Sequence, residues 1–543
     1  MFRFLLVTAL LLSLTLPKSG LCKSKSNKKL PEWTILVYLA ADNDLAEYGL
    51  EDLNEMETVG SSKEVNIVVQ FDGSADYTPE AASSKRYFIE KDDDFEKVTS
   101  PVVEDLGEVD MGQRKTFTKF LRWGVSQYPA RKYFVVLWNH GDGWYNSLDA
   151  QYMDVTTSID TQAIEDGYSA LYADEEKMRL ALAHRARRMQ KLSAKAPALQ
   201  PFSLKEKQGF SPFEALDSLI AFDEGDGISA LTTTDLRRSL QSVRKLLPEG
   251  QQIEMVGFDA CFMGMLEVMY ELRHEANYCL ASQKTEPGAG WAYDRFLLDL
   301  VENPAMNGQQ LGQSIIKSFT QYYREENEAS EGSPEFHSTT TLACVDLRQV
   351  EPLVQALDEL SQKLIARPDR RHEIWQTVAK TQHSGEIQMD FGCAGEADDW
   401  ECEDYDYGDE PEIFVDEEPD IIYEVKSRHK NSMFGGYTLA YTAHRDLVHF
   451  AQNLCQQFAG DTEITNRATS VIEEAHRAIV AFEKMDGSPL GSHKNANGLA
   501  IFLPLITATD QYDELQFGKT AWHDFLKHIA PQGEEEMQKM WDL

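Results

Sequence analysis

The chain has 543 residues, of which 42% are hydrophobic and 10% aromatic, and this is enough apolar material to bury a large core. Its 52 basic and 90 acidic side chains give a formal net charge of -38, and a surface of that charge repels nucleic acid and anionic lipid. Seven cysteines are too few for a disulfide scaffold, and after the N-terminus no apolar run reaches the roughly 20 residues of a membrane span. We therefore expect a globular protein with no nucleic-acid partner and no transmembrane span.

The N-terminus is predicted to be a secretory signal peptide over residues 1–22. A basic residue near the start is followed by an apolar stretch at residues 4–16 and then by proline and small residues, which end the run. Cys22 makes a lipid anchor the alternative to a free mature chain. Residues 23–32 are polar and basic and are predicted to form a flexible tether. The protein is therefore expected to be exported, whether secreted, periplasmic or held at the cell surface.

Short apolar runs alternate with stretches of helical periodicity from residue 33 onward. Apolar strands joined by amphipathic helices are typical of the α/β class, in which a mostly parallel sheet is buried on both faces. Strands are predicted at residues 34–40, 65–71, 133–138, 253–258, 339–345, 437–442 and 499–503. Helices are predicted at residues 45–56, 116–123, 236–247, 350–365 and 464–482.

Two segments with opposite charges interrupt this pattern. Residues 177–207 hold nine Lys or Arg against one acid, Glu206, within a predicted basic insert of about 146–228. Residues 390–424 hold sixteen Asp or Glu and no Lys or Arg. This acidic insert is interpreted either as a solvated loop or as a calcium site, because calcium takes several carboxylate oxygens at once. The basic insert is either a protease-sensitive segment or a surface helix docked on the acidic insert.

Two of the predicted strands end in residues that can carry chemistry. The strand at 133–138 runs into NHGDGW at residues 139–144, and the strand at 253–258 runs into DAC at residues 259–261. The carboxyl ends of parallel strands meet at one edge of a sheet, so both turns are expected at the same edge. A helix is predicted to begin directly after Cys261, and the amides of its first turn would stabilise a thiolate there.

These residues indicate nucleophilic catalysis. Cys261 is the candidate nucleophile, and His140 can take its proton and pass it to a leaving amine. The backbone N–H groups of Gly141 and Cys261 are the candidate donors to an oxyanion. Asp259 either contacts the substrate or caps the predicted helix.

The two motifs resemble those of the clostripain-like cysteine peptidases, which are relatives of caspases, legumains and gingipains. The motifs are FDACFMG at residues 258–264 and WNHGDGW at residues 138–144. Further segments that resemble the family are LVYLAADNDL at 36–45, PGAGW at 287–291 and NGLAIF at 497–502. The resemblance covers residues from about 33 to about 525, apart from the two charged inserts. It implies a caspase-like α/β sandwich and hydrolysis of peptide bonds through a thioester by a dyad of Cys261 and His140.

The resemblance also implies a division of the chain and a way of binding substrate. Residues 33–330 are predicted to form the catalytic domain, and residues 331–543 a C-terminal α/β extension that completes the sheet or builds a second layer. Asp259, Ser282 and Trp291 are predicted to bind the substrate. Members of the family prefer Arg or Lys before the scissile bond because acids line their pocket. The family often places a second acid in the middle of the PGAGW segment, where this chain has alanine.

Self-processing is a further implication of the resemblance, since members of the family are often cut between the two motifs. His140 and Cys261 are 121 residues apart, and the basic insert lies between them. The predicted sites of cleavage are the basic residues of its exposed part: Arg185, Arg187, Arg188, Lys191 and Lys195.

Two other interpretations stay open at this point. The first is a catalytically inactive exported binding protein on the same fold, whose acidic face holds a basic or cationic partner. The second is a metal-dependent hydrolase, with these candidate ligands: Asp42, Asp44, Asp72, His140 and Asp142. The peptidase interpretation expects a peptide or protein substrate and no cofactor for the chemistry, and it is compatible with a structural calcium ion.

Overall fold

A computed structural model describes residues 29–75, 77–78, 81–94, 97–144, 220–223, 229–329, 338–382, 443–485, 493–504 and 510–530. The predicted signal peptide with Cys22, the basic residues at 177–207, the acidic insert and the predicted strand at 437–442 lie outside these residues. None of the described helices has both the length and the apolar composition needed to cross a membrane.

Nine strands form one central sheet within the described chain. In spatial order they are β12 (Ile479–Met485), β10 (Thr340–Asp346), β9 (Ala276–Ala281), β8 (Ile253–Asp259), β5 (Lys132–Trp138), β1 (Trp33–Ala41), β2 (Val65–Gly73), β3 (Ser84–Phe88) and β4 (Val102–Gly107). The inner strands from β9 to β2 pair in parallel, and the outer strands on both sides pair antiparallel. The predicted α/β class with a mostly parallel centre is therefore confirmed.

Helices and two short strand pairs complete the described fold. The helices are α1 (Ala46–Val59), α2 (Arg114–Gln127), α3 (Thr233–Arg244), α4 (Leu266–Leu272), α5 (Tyr293–Glu302), α6 (Gly308–Ala329), α7 (Val350–Ile365), α8 (Arg371–Ala379), α9 (Leu447–Gln457), α10 (Thr462–Ala478) and α11 (Ala521–Ile529). Short 3-10 turns lie at Leu347–Gln349, Pro368–Arg370, Asp510–Glu514 and Phe517–Lys519. The strand pairs are β6 (Ile220–Asp223) with β7 (Ser229–Leu231), and β11 (His444–Asp446) with β13 (Ala500–Phe502).

Helices cover both faces of the central sheet, which is why its inner strands are apolar on both sides. All nine residues of β1 are buried. On one face, Leu36 and Tyr38 belong to a core shared with α2, α3 and α4. On the other face, Val37 and Leu39 belong to a core shared with α1, α5 and α6. This sandwich holds the carboxyl ends of β1, β5 and β8 rigidly at one edge of the sheet.

One predicted helix differs from the structure, and one predicted strand has its partner outside the central sheet. The helix predicted at 464–482 ends at Ala478, and the next seven residues form β12 against β10. The strand predicted at 499–503 is β13, which pairs with β11 outside the central sheet. Pairing with β10 decides the conformation of residues 479–485 over the local helical pattern. At residues 499–503 the local pattern and the structure agree on a strand.

Candidate functional site

The ends of β5 and β8 lie side by side at one edge of the sheet. Trp138 pairs with Asp259 in parallel register, and the Asn139 N–H donates to the Asp259 carbonyl oxygen at 3.2 Å. A Cβ atom added to Gly141 would collide with the carbonyl oxygen of Cys261, so these two backbones pass directly against each other. The structure thus brings the loop that begins with Asn139 and His140 beside the loop of Cys261, as the strand ends predict.

The chain directly after Cys261 is not helical, and the predicted helix start there is wrong. Phe262 has a φ of 60°, in the left-handed region that residues other than glycine rarely adopt. Its N–H donates to the carbonyl of Lys284 at 2.9 Å. The N–H of Gly264 likewise donates to the carbonyl of Ser282 at 2.6 Å. These hydrogen bonds use the backbone N–H groups of the loop, and α4 begins only at Leu266, five positions after the cysteine.

The C-terminal part of the chain supports this loop from the other side. Ala500 of β13 forms a parallel bridge with Met265, and its N–H donates to the Gly264 carbonyl at 2.8 Å. The Phe502 N–H donates to the Glu267 carboxylate at 2.9 Å. The loop of the cysteine is therefore held by residues distant from it in sequence.

The thiol of Cys261 is half-buried against the backbone of Glu286. The Glu286 N–H donates to Sγ at 3.2 Å, and Sγ lies 3.8 Å from the Glu286 carbonyl oxygen. Burial raises the pKa of the Cys261 thiol to about 12, and the carboxylates of Glu286, Asp142 and Asp259 act in the same direction. Because α4 begins only at Leu266, the expected stabilisation of a thiolate by the first turn of a helix is wrong. A thiol with a raised pKa keeps its proton at neutral pH, so a base must take that proton before the sulfur can attack.

The imidazole of His140 faces a carboxylate at the end of β1. Its Nε2 atom lies 2.7 Å from Oδ1 of Asp44, which occupies the turn between β1 and α1. Both side chains are exposed, at 44% for His140 and 43% for Asp44. Because the imidazole is exposed at this edge of the sheet, it can exchange protons with a molecule that binds there.

Asp259 is buried at the end of β8 and does not cap a helix. Its Oδ2 atom accepts from the Trp291 N–H at 3.2 Å and from the Tyr293 hydroxyl at 2.9 Å. The carboxyl of Glu286 lies next to Asp259 and accepts from Trp291 Nε1 at 3.1 Å. Burial raises the pKa of Asp259 to about 6, and burial next to that carboxylate raises the pKa of Glu286 well above its usual range. At neutral pH the two carboxyls therefore hold a proton between them.

Two acids of α1 extend this pair into a cluster. Asp52 accepts from Trp138 Nε1 at 2.6 Å, and burial with the nearby charge of Asp259 raises its pKa well above the usual range. Glu55 accepts from the Tyr293 N–H at 2.9 Å, and burial raises its pKa to about 7. We call Asp52, Glu55, Asp259 and Glu286 the acidic cluster. Buried carboxyls with raised pKa values gain from a cation that lets them ionise.

The side chains of Ser282 and Trp291 lie inside the protein, and their predicted roles in substrate binding stay predictions. Both are fully buried. The Ser282 hydroxyl lies 2.7 Å from the Thr341 hydroxyl and accepts from the Lys284 N–H at 3.1 Å. These residues hold the loop between β9 and α5 in place. That loop supplies Glu286, an acid beside Cys261 and Asp259 that sequence reasoning missed.

The candidate metal ligands do not converge. No group of three or more His, Cys, Asp or Glu in the described ranges is arranged to hold a metal ion. Asp44 contacts His140, whereas Asp72 accepts from the Ser84 hydroxyl at 2.6 Å. A calcium ion in the acidic insert stays a prediction, because residues 390–424 lie outside the described chain. The same holds for the predicted cleavage sites, which are Arg185, Arg187, Arg188, Lys191 and Lys195.

A cysteine and a histidine therefore lie on adjoining loops at one edge of a mostly parallel sheet that is covered by helices on both faces. The sequence model of the clostripain family matches residues 37–176 and 214–529. The chain therefore belongs to the clostripain family.

Individual relatives agree with this placement. Clostripain from Hathewaya histolytica is 22% identical over 390 residues, which are 65% of this chain, and the chain spans 60% of the length of that relative. A secreted C11 cysteine protease from Bacteroides thetaiotaomicron, solved with an irreversible peptide inhibitor, aligns with a TM-score of 0.52 at 17% identity over 91% of this chain and 99% of its own. A second, iotapain from the same organism, aligns with a TM-score of 0.53 at 12% identity over 90% and 98%. At these identities the two structures show a shared fold.

Proposed function

We propose that the protein is an exported cysteine endopeptidase that cleaves after Arg or Lys and processes itself between its histidine and cysteine motifs. The observation that carries the proposal is the contact between the loops after β5 and β8, which places Cys261 beside the turn of His140. Membership of the clostripain family supports the same chemistry.

The proposed reaction begins with the transfer of the Cys261 thiol proton to His140. The sulfur then attacks the carbonyl carbon of the scissile bond, and the negative charge formed on the carbonyl oxygen is stabilised by the N–H groups of Cys261 and Gly141. The carbon–nitrogen bond breaks, the amine leaves with the proton from His140, and a thioester remains on the sulfur. Water hydrolyses this thioester and returns the proton to the thiol. The raised pKa of the free thiol makes His140 necessary as a general base.

Gly141→Ala is expected to lower kcat/KM by at least about a hundredfold, because a small displacement of the reacting groups is enough for such a loss. The added methyl collides with the Cys261 carbonyl oxygen and approaches the side chain of Met263 to 3.1 Å. Peptide hydrolysis measures the effect. Gly460→Ala is the matched control, since nothing lies within 4 Å of a Cβ atom added there. Equal activity of the two variants would contradict the proposed place of the oxyanion.

The acidic cluster supports the preference for a basic residue before the scissile bond. Asp259 is the last residue of β8, two residues before Cys261, and the Glu286 backbone N–H donates to the sulfur. A guanidinium or ammonium group that enters beside the thiol meets these two carboxyls and favours their ionised forms. The proton that the two carboxyls share is then released, and the cation pairs with the ionised carboxylates.

Export and self-processing rest on other observations. Export is supported by the signal-like N-terminus and by two structural relatives that are described as secreted proteases. Self-processing is supported by the basic residues at 177–207, which offer Arg and Lys between the two motifs. The proposed specificity for Arg and Lys would then apply both to substrates and to the cleavage site within the chain.

One variant tests the whole proposal. Purified wild-type protein is expected to take a covalent label from a peptidyl electrophile with arginine at its reactive end and to migrate as two fragments under denaturing conditions. Cys261→Ala is expected to take no label and to migrate as one chain. Cys455→Ala is the matched control, because Cys455 is also partly exposed and unpaired but lies on α9.

The failures of this test are distinct. A wild type that takes no label and hydrolyses no peptide supports the inactive binding protein instead. Two fragments from Cys261→Ala show that another protease makes the cut, and a label at Cys261 without preference for arginine removes only the proposed specificity.

A further inference from the structure

A carboxylate contacts the imidazole of His140 from a turn that the proposed reaction does not use. Asp44 Oδ1 lies 2.7 Å from His140 Nε2, and the two side chains are 43% and 44% exposed. An ion pair this exposed adds little to stability, because water screens it and both side chains lose freedom. The pair therefore depends on the backbone that places the two residues.

That backbone is tied together at one carbonyl group of β1. Asn43 Nδ2 donates to the Ala40 carbonyl oxygen at 3.1 Å, and Asn43 Oδ1 accepts from the backbone N–H two residues further on at 2.9 Å. The side-chain amide of Asn139 donates to the same Ala40 oxygen. This oxygen anchors both the turn that carries Asp44 and the turn that carries His140. The distance between carboxylate and imidazole is thus set by the fold.

We infer that Asp44 is a positioning residue that holds His140 as the tautomer protonated on Nε2. A neutral imidazole that donates from Nε2 has its lone pair on Nδ1, so Nδ1 is the atom that takes the proton from Sγ of Cys261. The imidazolium formed by that transfer keeps its Nε2 proton, and the carboxylate beside it stabilises the new charge. This inference rests on the proposed peptidase function and adds a third residue to its machinery.

Asp44→Ala is expected to change kcat rather than KM, because Asp44 acts on His140 and not on the substrate. We expect kcat to fall by about tenfold to a hundredfold, with KM changed by less than about twofold. Without the neighbouring negative charge the pKa of His140 falls, so the acid limb of the profile of kcat/KM against pH moves to lower pH. Asp44→Asn keeps an acceptor oxygen and is expected to recover part of kcat with the acid limb still displaced.

The experiment compares the full-length wild type, Asp44→Ala, Asp44→Asn and Glu47→Ala on one arginine peptide between about pH 5 and about pH 8.5, with Tm measured for each. Glu47 is an exposed acid in the first turn of α1 and is the matched control. An unchanged kcat in Asp44→Ala overturns the inference. A lower kcat with a lower Tm and an unmoved acid limb also overturns it, since that pattern is structural damage. A wild type that neither cleaves nor is labelled at Cys261 overturns the proposed function as well, which distinguishes that failure from the other two.

Discussion

Asp259→Asn is expected to lower kcat/KM for a peptide with arginine before the scissile bond by about a hundredfold to a thousandfold, because a buried guanidinium then lacks its carboxylate partner. The amide has the size of the carboxyl, and its oxygen can still accept from the Trp291 N–H and the Tyr293 hydroxyl. The measurement compares two peptides that differ only in arginine or leucine at that position. The leucine peptide should change by less than about tenfold.

Glu286→Gln extends this test to the second carboxyl of the pair. Its effect on arginine cleavage should be in the same direction, because either amide removes one of the two carboxyls that can ionise beside a bound cation. Glu302→Gln, at the exposed end of α5, is the control for charge alone. Labelling of Cys261 by a small uncharged reagent should persist in all three variants. Full arginine cleavage by the double variant of Asp259 and Glu286 would place the specificity pocket elsewhere.

Asp72→Asn is expected to make the protein more stable at alkaline pH. Asp72 is fully buried near Asp223, Glu108 and Asp42, and burial together with these charges raises its pKa from 3.8 to about 9. Between these two values the folded protein keeps a proton that the unfolded chain has released, so stability falls as pH rises through this window. An amide carries no charge at any of these pH values. We expect a gain of at least about 2 kcal/mol at about pH 8.5 and little change at about pH 4.5.

The measurement is Tm or urea unfolding of the variant and the wild type across that range. The amide oxygen can still accept from Ser84, and the amide nitrogen meets the neighbouring acids as a donor. Asp93→Asn, at an exposed position, is the control and should leave the pH dependence as it is. The same dependence of Tm on pH in Asp72→Asn and in the wild type would show that Asp72 is ionised in the folded state.

The inner strands of the sheet are predictable because burial on both faces makes them nearly continuous apolar runs. The sequence predicts residues 34–40 and 253–258, and the structure has β1 and β8 with one or two more residues each. β4 escapes such a prediction, since it is exposed along most of its length and carries acids. β12 resembles the end of a helix because residues 479–482 continue the apolar spacing of α10, and only pairing with β10 makes them a strand.

The neighbouring positions of the His140 and Cys261 loops are predictable for a simpler reason, which is that parallel strands bring their carboxyl ends to one edge. The conformation of the residues around His140 and Cys261 is not predictable in this way. The conformation after Cys261 depends on bonds to Lys284 and to other residues far along the chain, so a local helix pattern misleads there. Glu286 lies in a loop without periodicity, and nothing in its sequence indicates that the loop returns to the thiol. Sequence reasoning considers Asp44 only as a metal ligand, because its distance from His140 is a property of the fold.

The position of β6 in the sequence, after all the candidate cleavage sites, decides what the proposed self-cleavage would produce. Its first residue, Ile220, is fully buried and bridges Gly141, and Asp223 at its end accepts from the Met111 N–H at 2.6 Å. A cut at any of the candidate basic residues leaves the imidazole on one polypeptide and the sulfur on the other, with β6 as part of the second. The processed protein would then consist of two chains, neither of which is active alone. Once the two chains are unfolded and diluted, their reassembly would depend on protein concentration, as it does for separate subunits.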